Sequence, residues 1–246
     1  MIALVCMLVG ALLGAFLQKH LPENYLCLHS RDVIKLGTGL IATQAALVLG
    51  LLVSSSKSAF DGVNTALMDG AASRVLLDRN LDHYGPETDA VRAQLRLALM
   101  ARIERLWPKN TALKSGMNEE EQATDMEDVG DLLRALTPKD EPQRLLKERA
   151  LALYGEGNMQ RWKLSIKTHT EVPAVFLVVL VCWFTLLFAA FGVLAPRNRT
   201  VYLVIFLCAL SVAGGILLSV ELGRPFEGIV RISREPMDAA LRQIGR

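Results

Sequence analysis

Apolar and polar positions follow two patterns along this chain. On the coarse scale, Met1–Leu17, Leu36–Ser55, Val172–Ala195 and Val201–Val220 are apolar almost throughout and carry no charged side chain. A helix needs about 20 apolar residues, with a range of 17–25, to cross a hydrocarbon core. Each stretch therefore predicts a membrane helix. Met1–Leu17, the shortest, lacks the basic start and small-residue cleavage site of a signal peptide and runs on through "QKHLPENYL", so it is expected to be the first span.

The long polar region between the second and third spans shows the finer, helical pattern. "SAFDGVNTALMDGAASRVLLDRNLDHYG" prolongs the second span and stops at Gly85-Pro86, a strong helix terminator. "PETDAVRAQLRLALMARIERLW" restarts with Pro and acidic residues in its first turn. Val91, Leu95, Leu99 and Ile103 recur at four-residue spacing and predict one buried stripe. Arg92, Arg96, Arg102 and Arg105 are expected to face elsewhere. "PKNTALKSGMNEEEQAT" reads as a polar loop and "DMEDVGDLLRAL" as a short helix before Pro138. "EPQRLLKERALALYGEGNMQRWKLSIKTHTEV" leads helically to the third span, with a weak point expected at Gly155–Gly157. No β-periodic run or internal repeat competes with these readings. The fold class is all-α: a polytopic membrane protein with four transmembrane helices and a helical cytoplasmic region between helices 2 and 3. The expected segments are 1–56 and 172–222 for the paired spans, 57–171 for the cytoplasmic region and 223–246 for an amphipathic basic tail.

Composition agrees with this mixed plan. The 246 residues are 52% hydrophobic and 21% charged, with mean hydropathy +0.31. That is too apolar for an ordinary soluble domain and too charged for a wholly embedded one. Charge sets the orientation. With the N-terminus inside, the inner flanks hold Lys57, Arg74, Arg161, Lys163, Lys167, Arg224, Arg231, Arg234, Arg242 and Arg246, against Lys19, Arg31, Lys35, Arg197 and Arg199 outside. The excess of basic residues predicts a multi-pass membrane protein with both termini and the central region cytoplasmic. A net charge of +2 argues against nucleic acid as a partner.

Chemistry-bearing motifs are missing. No phosphate-binding loop, nucleophile elbow, H-E-x-x-H or dinucleotide fingerprint occurs. Cys6, Cys27, Cys182 and Cys208 form no C-x-x-C pattern. The histidines are scattered: His83 reads as a helix-end residue, and His169 with Glu171 as an interfacial pair. Neither an enzyme, a cofactor nor a metal site is expected.

The second span carries the most informative face. At 100° per residue, Gly37, Leu40, Gln44, Val48, Leu51, Ser55, Ser58 and Gly62 fall within roughly 40° of one line. An amide at membrane depth is costly unless it meets a partner or water. Either Gln44 and the serines bond to neighbouring helices, with Ala45 and Gly50 permitting close packing, or the face lines a pathway. In the second case Val48 and Leu51 form a hydrophobic neck between polar positions, a geometry that gates by dewetting. A four-helix protomer cannot hold both a core and a channel, so the pathway requires an oligomer with this helix on its axis.

At the inner edge, Lys57 and Asp61 on the second helix and Glu221 and Arg224 on the fourth suggest a charge network linking Asp61 to Arg224 and Lys57 to Glu221. Ile229, Ile232, Met237, Leu241 and Ile244 make the tail amphipathic, suited either to the inner leaflet or to the cytoplasmic helices.

Three stretches, "SRDVIKLGTGLIATQAALVLGLLVSSSKSAFD", "LLDRNLDHYGPE" and "LFAAFGVLAPRNRT…ALSVAGGILLSVELGRPFEGIVRIS", resemble the bestrophin-like membrane proteins of bacteria, distantly similar to bestrophin ion channels. The resemblance spans nearly the whole chain. It implies a homo-oligomer, a pentamer in bestrophins proper, with the second helix of each protomer lining a central pore and inorganic ions as the permeant species. On that reading Gln44, Val48, Leu51, Ser55 and Ser58 are the pore-lining positions. The bulky Ile and Phe neck of bestrophins is replaced here by Val48, Leu51 and Ser55, and their acidic calcium clasp has no counterpart. The rival expectation is a non-conducting membrane scaffold that binds a partner through its cytoplasmic helices.

Overall fold

Helices account for the architecture, as the pattern requires. A computed structural model of the chain describes residues 2–20, 28–108, 119–168, 174–196, 198–226 and 228–245, with no strand among them. The elements are α1 (Ile2–His20), α2 (Leu28–Tyr84), a single 3-10 turn (Pro86–Thr88), α3 (Asp89–Leu106), α4 (Glu119–Ala135), α5 (Glu141–Thr168), α6 (Ala174–Leu194), α7 (Arg199–Leu222) and α8 (Glu235–Gln243). Helices α1, α6 and α7 and the first half of α2 are each long and apolar enough to cross a membrane. The chain divides into two compact units, Met1–Phe60 with Glu171–Arg224, and Asp61–Thr170 with Pro225–Arg246.

In the first unit, hereafter the membrane unit, the closest packing is between α1 and α6. Lipid tails are as apolar as leucine, so membrane helices associate through close van der Waals fit, which small residues permit. Gly10 and Gly14 of α1 lie on the carbonyls of Thr185 and Ala189, and Gly192 of α6 lies on the carbonyl of Ala11. A methyl group at any of the three would sit under 3.0 Å from that backbone. The spacing "GALLG" carries this signal in the sequence, although close packing is expected at Ala45 and Gly50. That glycine has nothing within 4 Å of the position its side chain would take. Around the α1–α6 seam, Met7, Leu180, Phe184, Leu187, Phe188 and Ala209 are buried, and Ala45 of α2 joins them fully covered. Phe184 and Phe188 thus pack as a stripe, while Phe191 is exposed and meets Phe188 edge-on at 5.8 Å. Asn198 caps α7, its Oδ1 accepting from the Thr200 amide at 3.2 Å.

In the second, polar unit, α2 ends where Gly85-Pro86 demands. Gly85 takes φ 127°, open to glycine alone without strain. The Thr88 hydroxyl then donates to the carbonyls of Leu81 (2.7 Å) and Gly85 (2.8 Å), stitching the reversal into α3. The predicted stripe is buried to the last residue: Val91, Leu95, Leu99 and Ile103 are 0–3% exposed. Its first half, Val91 and Leu95, meets Leu77 and Leu81 of α2, Met126, Val129 and Leu133 of α4, and Ala150, Leu153 and Tyr154 of α5 in one core. The Tyr154 hydroxyl donates to the Met126 carbonyl at 3.0 Å, its ring lying on Gly130. Lys147 donates to the Arg134 and Leu136 carbonyls at 2.8 and 2.6 Å, closing the end of α4.

Two expectations change here. Helix α4 begins at Glu119, six residues inside the expected loop; residues 109–118 lie outside the described set, as do His169 and Glu171. Helix α5 runs through Gly155–Gly157 without a break, because tertiary packing overrides the propensity cost of about 1 kcal/mol per glycine. Of the two seats expected for the tail, the structure shows packing on the helices of the second unit. Met237, Ala240 and Ile244 are buried, Arg96 donates to the Ile244 carbonyl at 2.7 Å, and Trp107 donates to the Ile232 carbonyl at 3.0 Å. Apart from the exposed Ile229, its apolar face is therefore taken by helices of the same unit.

Asp78 ties tail to bundle. It is buried, accepts from Arg92 Nε (2.9 Å) and Nη2 (3.3 Å), and accepts from the Gly245 amide at 3.2 Å. The guanidinium of Arg92 is held above its usual pKa chiefly by this hydrogen bond. Arg92 also pairs with Asp82 at 2.7 Å, so Asp78→Asn should cost about 1.5–3 kcal/mol, the worth of a hydrogen bond to a charged group, and should expose the C-terminal tail to protease; denaturant unfolding with tail-specific proteolysis checks both. In the membrane unit, Gly14→Ala should destabilise by about 1–3 kcal/mol through overpacking. The control Gly155→Ala, at an open helical site, should stabilise by about 0.5–1 kcal/mol; thermal melts of the solubilised protein compare them.

Candidate functional site

The α2 face singled out in the sequence is largely uncovered by its own protomer. Gln44, Ser55 and Ser58 are exposed, and Leu51 is 72% exposed. Gly37 and Leu40 continue the exposed line towards the other end of the span. Val48 differs: it is half-buried and packs on the membrane core beside Leu49 and Leu52. The most apolar stretch of α2 is 6% buried, against 22–28% for the other three spans. The span with the amide is thus the one least covered by the protomer.

Local chemistry explains which polar groups are spoken for. Thr38 and Thr43 donate to their own helix at the Ile34 (2.8 Å) and Gly39 (2.9 Å) carbonyls, which satisfies a hydroxyl cheaply in an apolar setting. Gln44 has no such local acceptor, since a two-methylene amide does not fold back onto the preceding turn. Among the described residues it makes no hydrogen bond. The Ser56 hydroxyl is buried without a partner one residue from the exposed face.

Of the four edge charges, Lys57, Glu221 and Arg224 belong to the membrane unit and Asp61 to the polar unit. The Lys57 ammonium stands 5.8 Å from the Phe60 ring centre, and the Arg224 amide donates to the Glu221 carbonyl at 3.0 Å in the turn after α7. Among the described residues no group of three or more His, Cys, Asp and Glu side chains could hold a metal ion. His83 sits in the last turn of α2, one residue before its end.

Sequence reasoning missed the buried arginines. Arg92 and Arg102 were expected off the packed surface, yet Arg92 is half-buried against Asp78 and Arg102 is half-buried with an enclosed Nε. Four-residue spacing locates the centre of a buried stripe and says little about the long side chains along its margin.

The family model of the bestrophin-like domain matches residues 4–237. The chain belongs to the bestrophin-like family. Its fold resembles a substituted form of a bacterial Bestrophin homolog from Klebsiella pneumoniae, with TM-score 0.65 and 15% identity over 98% of this chain and 97% of that one. The Klebsiella pneumoniae homolog solved by Zn-SAD phasing gives TM-score 0.63 and 14% identity over 98% and 96%. A substituted membrane protein gives 0.69 and 15% over 97% and 95%. At such identities the likeness is one of fold. No curated protein sequence matches the chain. This bestrophin-like chain is a membrane protein by family and by its apolar helices.

The two sides of α2 make opposite demands on substitution. Ala45→Leu should destabilise by about 1–3 kcal/mol, because Ala45 is fully enclosed. Gln44→Leu should stay within about 0.5 kcal/mol, as for other changes away from packed features. Thermal melts of both variants in detergent separate a covered side from a free one.

Proposed function

We propose that this bestrophin-like protein is a passive ion channel: a homo-oligomer of the inner membrane, pentameric by resemblance, with α2 of each protomer around a central axis. The observation that carries the reading is the exposed, unbonded Gln44 on the least covered span. At membrane depth an amide left free by its protomer must meet water or another subunit, because lipid offers no partner. A ring of α2 helices supplies both. Gln44 then faces the outer half of the conduit, Leu51 with the half-covered Val48 forms its neck, and Ser55 and Ser58 line its inner mouth. Lys57, Asp61, Glu221 and Arg224 mark the cytoplasmic edge, and both termini are cytoplasmic.

A non-conducting scaffold would bury Gln44 and Ser55 between helices of one protomer, and the exposure of both within the protomer speaks against it. Membership of a family named for bestrophins, which are ion channels, adds support.

Leu51→Asp is the decisive substitution. A carboxylate in a hydrophobic neck hydrates it, so conductance in planar bilayers should rise at least about tenfold. Baseline currents unchanged in a variant that still assembles would count against the pore. Particle images viewed down the membrane normal should show a ring with α2 at its centre; a monomer would remove the basis for the proposal.

A further inference from the structure

The polar unit leaves two apolar faces uncovered, one concave and one convex. The concave face is an open cleft of about 540 Å³ between α2 and α5. Asp69 and Leu76 belong to its α2 wall, and Gly155, Glu156, Met159 and Lys163 to its α5 wall. Leu76 is 51% exposed and Met159 58%, and nothing lies within 4 Å of the position a side chain at Gly155 would take. This side of α2 stands roughly 140° around the helix from Leu77 and Leu81, which face the core. The convex face is a line on α3 with Arg96, Leu97, Met100 and Glu104, all exposed and within roughly 100° of one another. Among the described residues Asp69, Glu104, Glu156 and Lys163 form no ion pair. Arg96 holds the tail carbonyls through Nη1, which leaves the rest of its fork open.

The helices that bear these faces run the same way. Gly70 of α2 lies against Gln160, where a methyl group would stand 3.9 Å from the Gln160 Cβ. The Asn80 side chain donates to the Leu146 carbonyl at 2.7 Å, and the Gln143 side chain to the Tyr84 carbonyl at 3.2 Å. Helix α5 is therefore antiparallel to α2. So is α3, which returns from the Gly85 reversal to set Arg92 on Asp78 at 2.9 Å. Helices α3 and α5 are thus parallel, and copies arranged in a ring about the membrane normal keep that direction. Every contact in such a ring joins two different surfaces of the chain, one from each neighbour.

We propose that the α2–α5 cleft seats α3 of a second copy of this chain, which makes it the contact between neighbours in the polar layer of the ring; this rests on the oligomer proposed above. Charge sets the register. On α5 an acid, Glu156, precedes a base, Lys163, by seven residues, about 10 Å along the helix. On α3 a base, Arg96, precedes an acid, Glu104, by eight residues, about 12 Å. Laid parallel, the two helices put Arg96 on Glu156 and Glu104 on Lys163. Laid antiparallel, they would set like charges together, which a specific interface avoids. The parallel register brings Met100 onto Met159 and Leu97 over Gly155, where the absent side chain admits it. A cleft with an open glycine and an adaptable methionine suits the apolar face of a helix. An anionic lipid headgroup fits less well, since Asp69 and Glu156 outnumber Lys163 along the same walls.

Cysteine pairing in the full-length protein tests this contact. Met100→Cys and Met159→Cys are placed together in one chain, reconstituted in phosphatidylcholine–phosphatidylglycerol vesicles and oxidised. The double variant should give a ladder of covalently joined chains that ends at the subunit number of the ring. Its yield should exceed that of either single variant at least about tenfold, because a contact between unlike surfaces never brings position 100 to its own copy, nor 159 to its own. Lys163→Glu in the double variant should slow bridging at least about threefold, and adding Glu104→Lys should restore it. All the substituted positions are exposed, so the fold tolerates them. A ring in particle images with no more ladder than the single variants overturns the contact and leaves the channel reading standing; a monomer in those images removes both. A ladder from a protein that carries no current supports the contact without the channel. Bridging that Lys163→Glu does not slow, or that Glu104→Lys fails to restore, overturns the register. Quenching of a fluorophore at position 159 by brominated lipid in the assembled ring shows lipid in the cleft and overturns the proposal.

Discussion

The requirement that backbone polar groups be satisfied inside the helix in lipid governs this molecule. It forces every span to be helical, and in α2 the same hydrogen-bond ladder continues without interruption for 57 residues, from Leu28 to Tyr84. One element thereby contributes to the cores of both units. Its membrane half offers Ala45 to α1, α6 and α7, and its polar half offers Leu77 and Leu81 to α3, α4 and α5. Nothing between Ser55 and Tyr84 breaks the ladder, and Gly85-Pro86 ends it where the polar core begins to fold back.

A second consequence follows in the membrane unit. With side-chain burial giving no net gain against lipid, α1 and α6 approach through Gly10, Gly14 and Gly192, backbone on backbone. The protomer's tightest contact thus lies away from α2, which joins the core by one narrow line through Ala45. The rest of its circumference is left for water, lipid or another copy. A helix packed so sparingly, yet bearing an amide, is suited to an interface between subunits.

The polar unit obeys the opposite rule, since water is its solvent. Apolar burial drives it, and its charges are arranged around that core in two ways. Asp78 answers Arg92 and anchors Gly245, so one carboxylate joins α2, α3 and the tail. Among the described residues, Arg74 and Arg102 lie in the same bundle without an ion pair.

Much of this was written in the chain. The four spans, the long α2, its stop at Gly85-Pro86 and the stripe Val91, Leu95, Leu99 and Ile103 are local properties, set by hydropathy, period and turn chemistry within a few residues of each position. So was the polar line through Gln44 and Ser55, because a helical face follows from spacing alone. What lay beyond the sequence needed partners distant along the chain. Which glycines touch backbone depends on a helix about 180 residues away, and this selects Gly10 and Gly14 over Gly50. Helix α5 passes Gly155 and Gly157 unbroken because its flanks are held by Tyr154 and the core. The tail chose the bundle because Asp78, Arg96 and Trp107 offer partners for its backbone. The fate of each arginine depended on whether folding brought it a carboxylate. Covalent order determines period and propensity; only tertiary contact determines what a long polar side chain meets when it arrives.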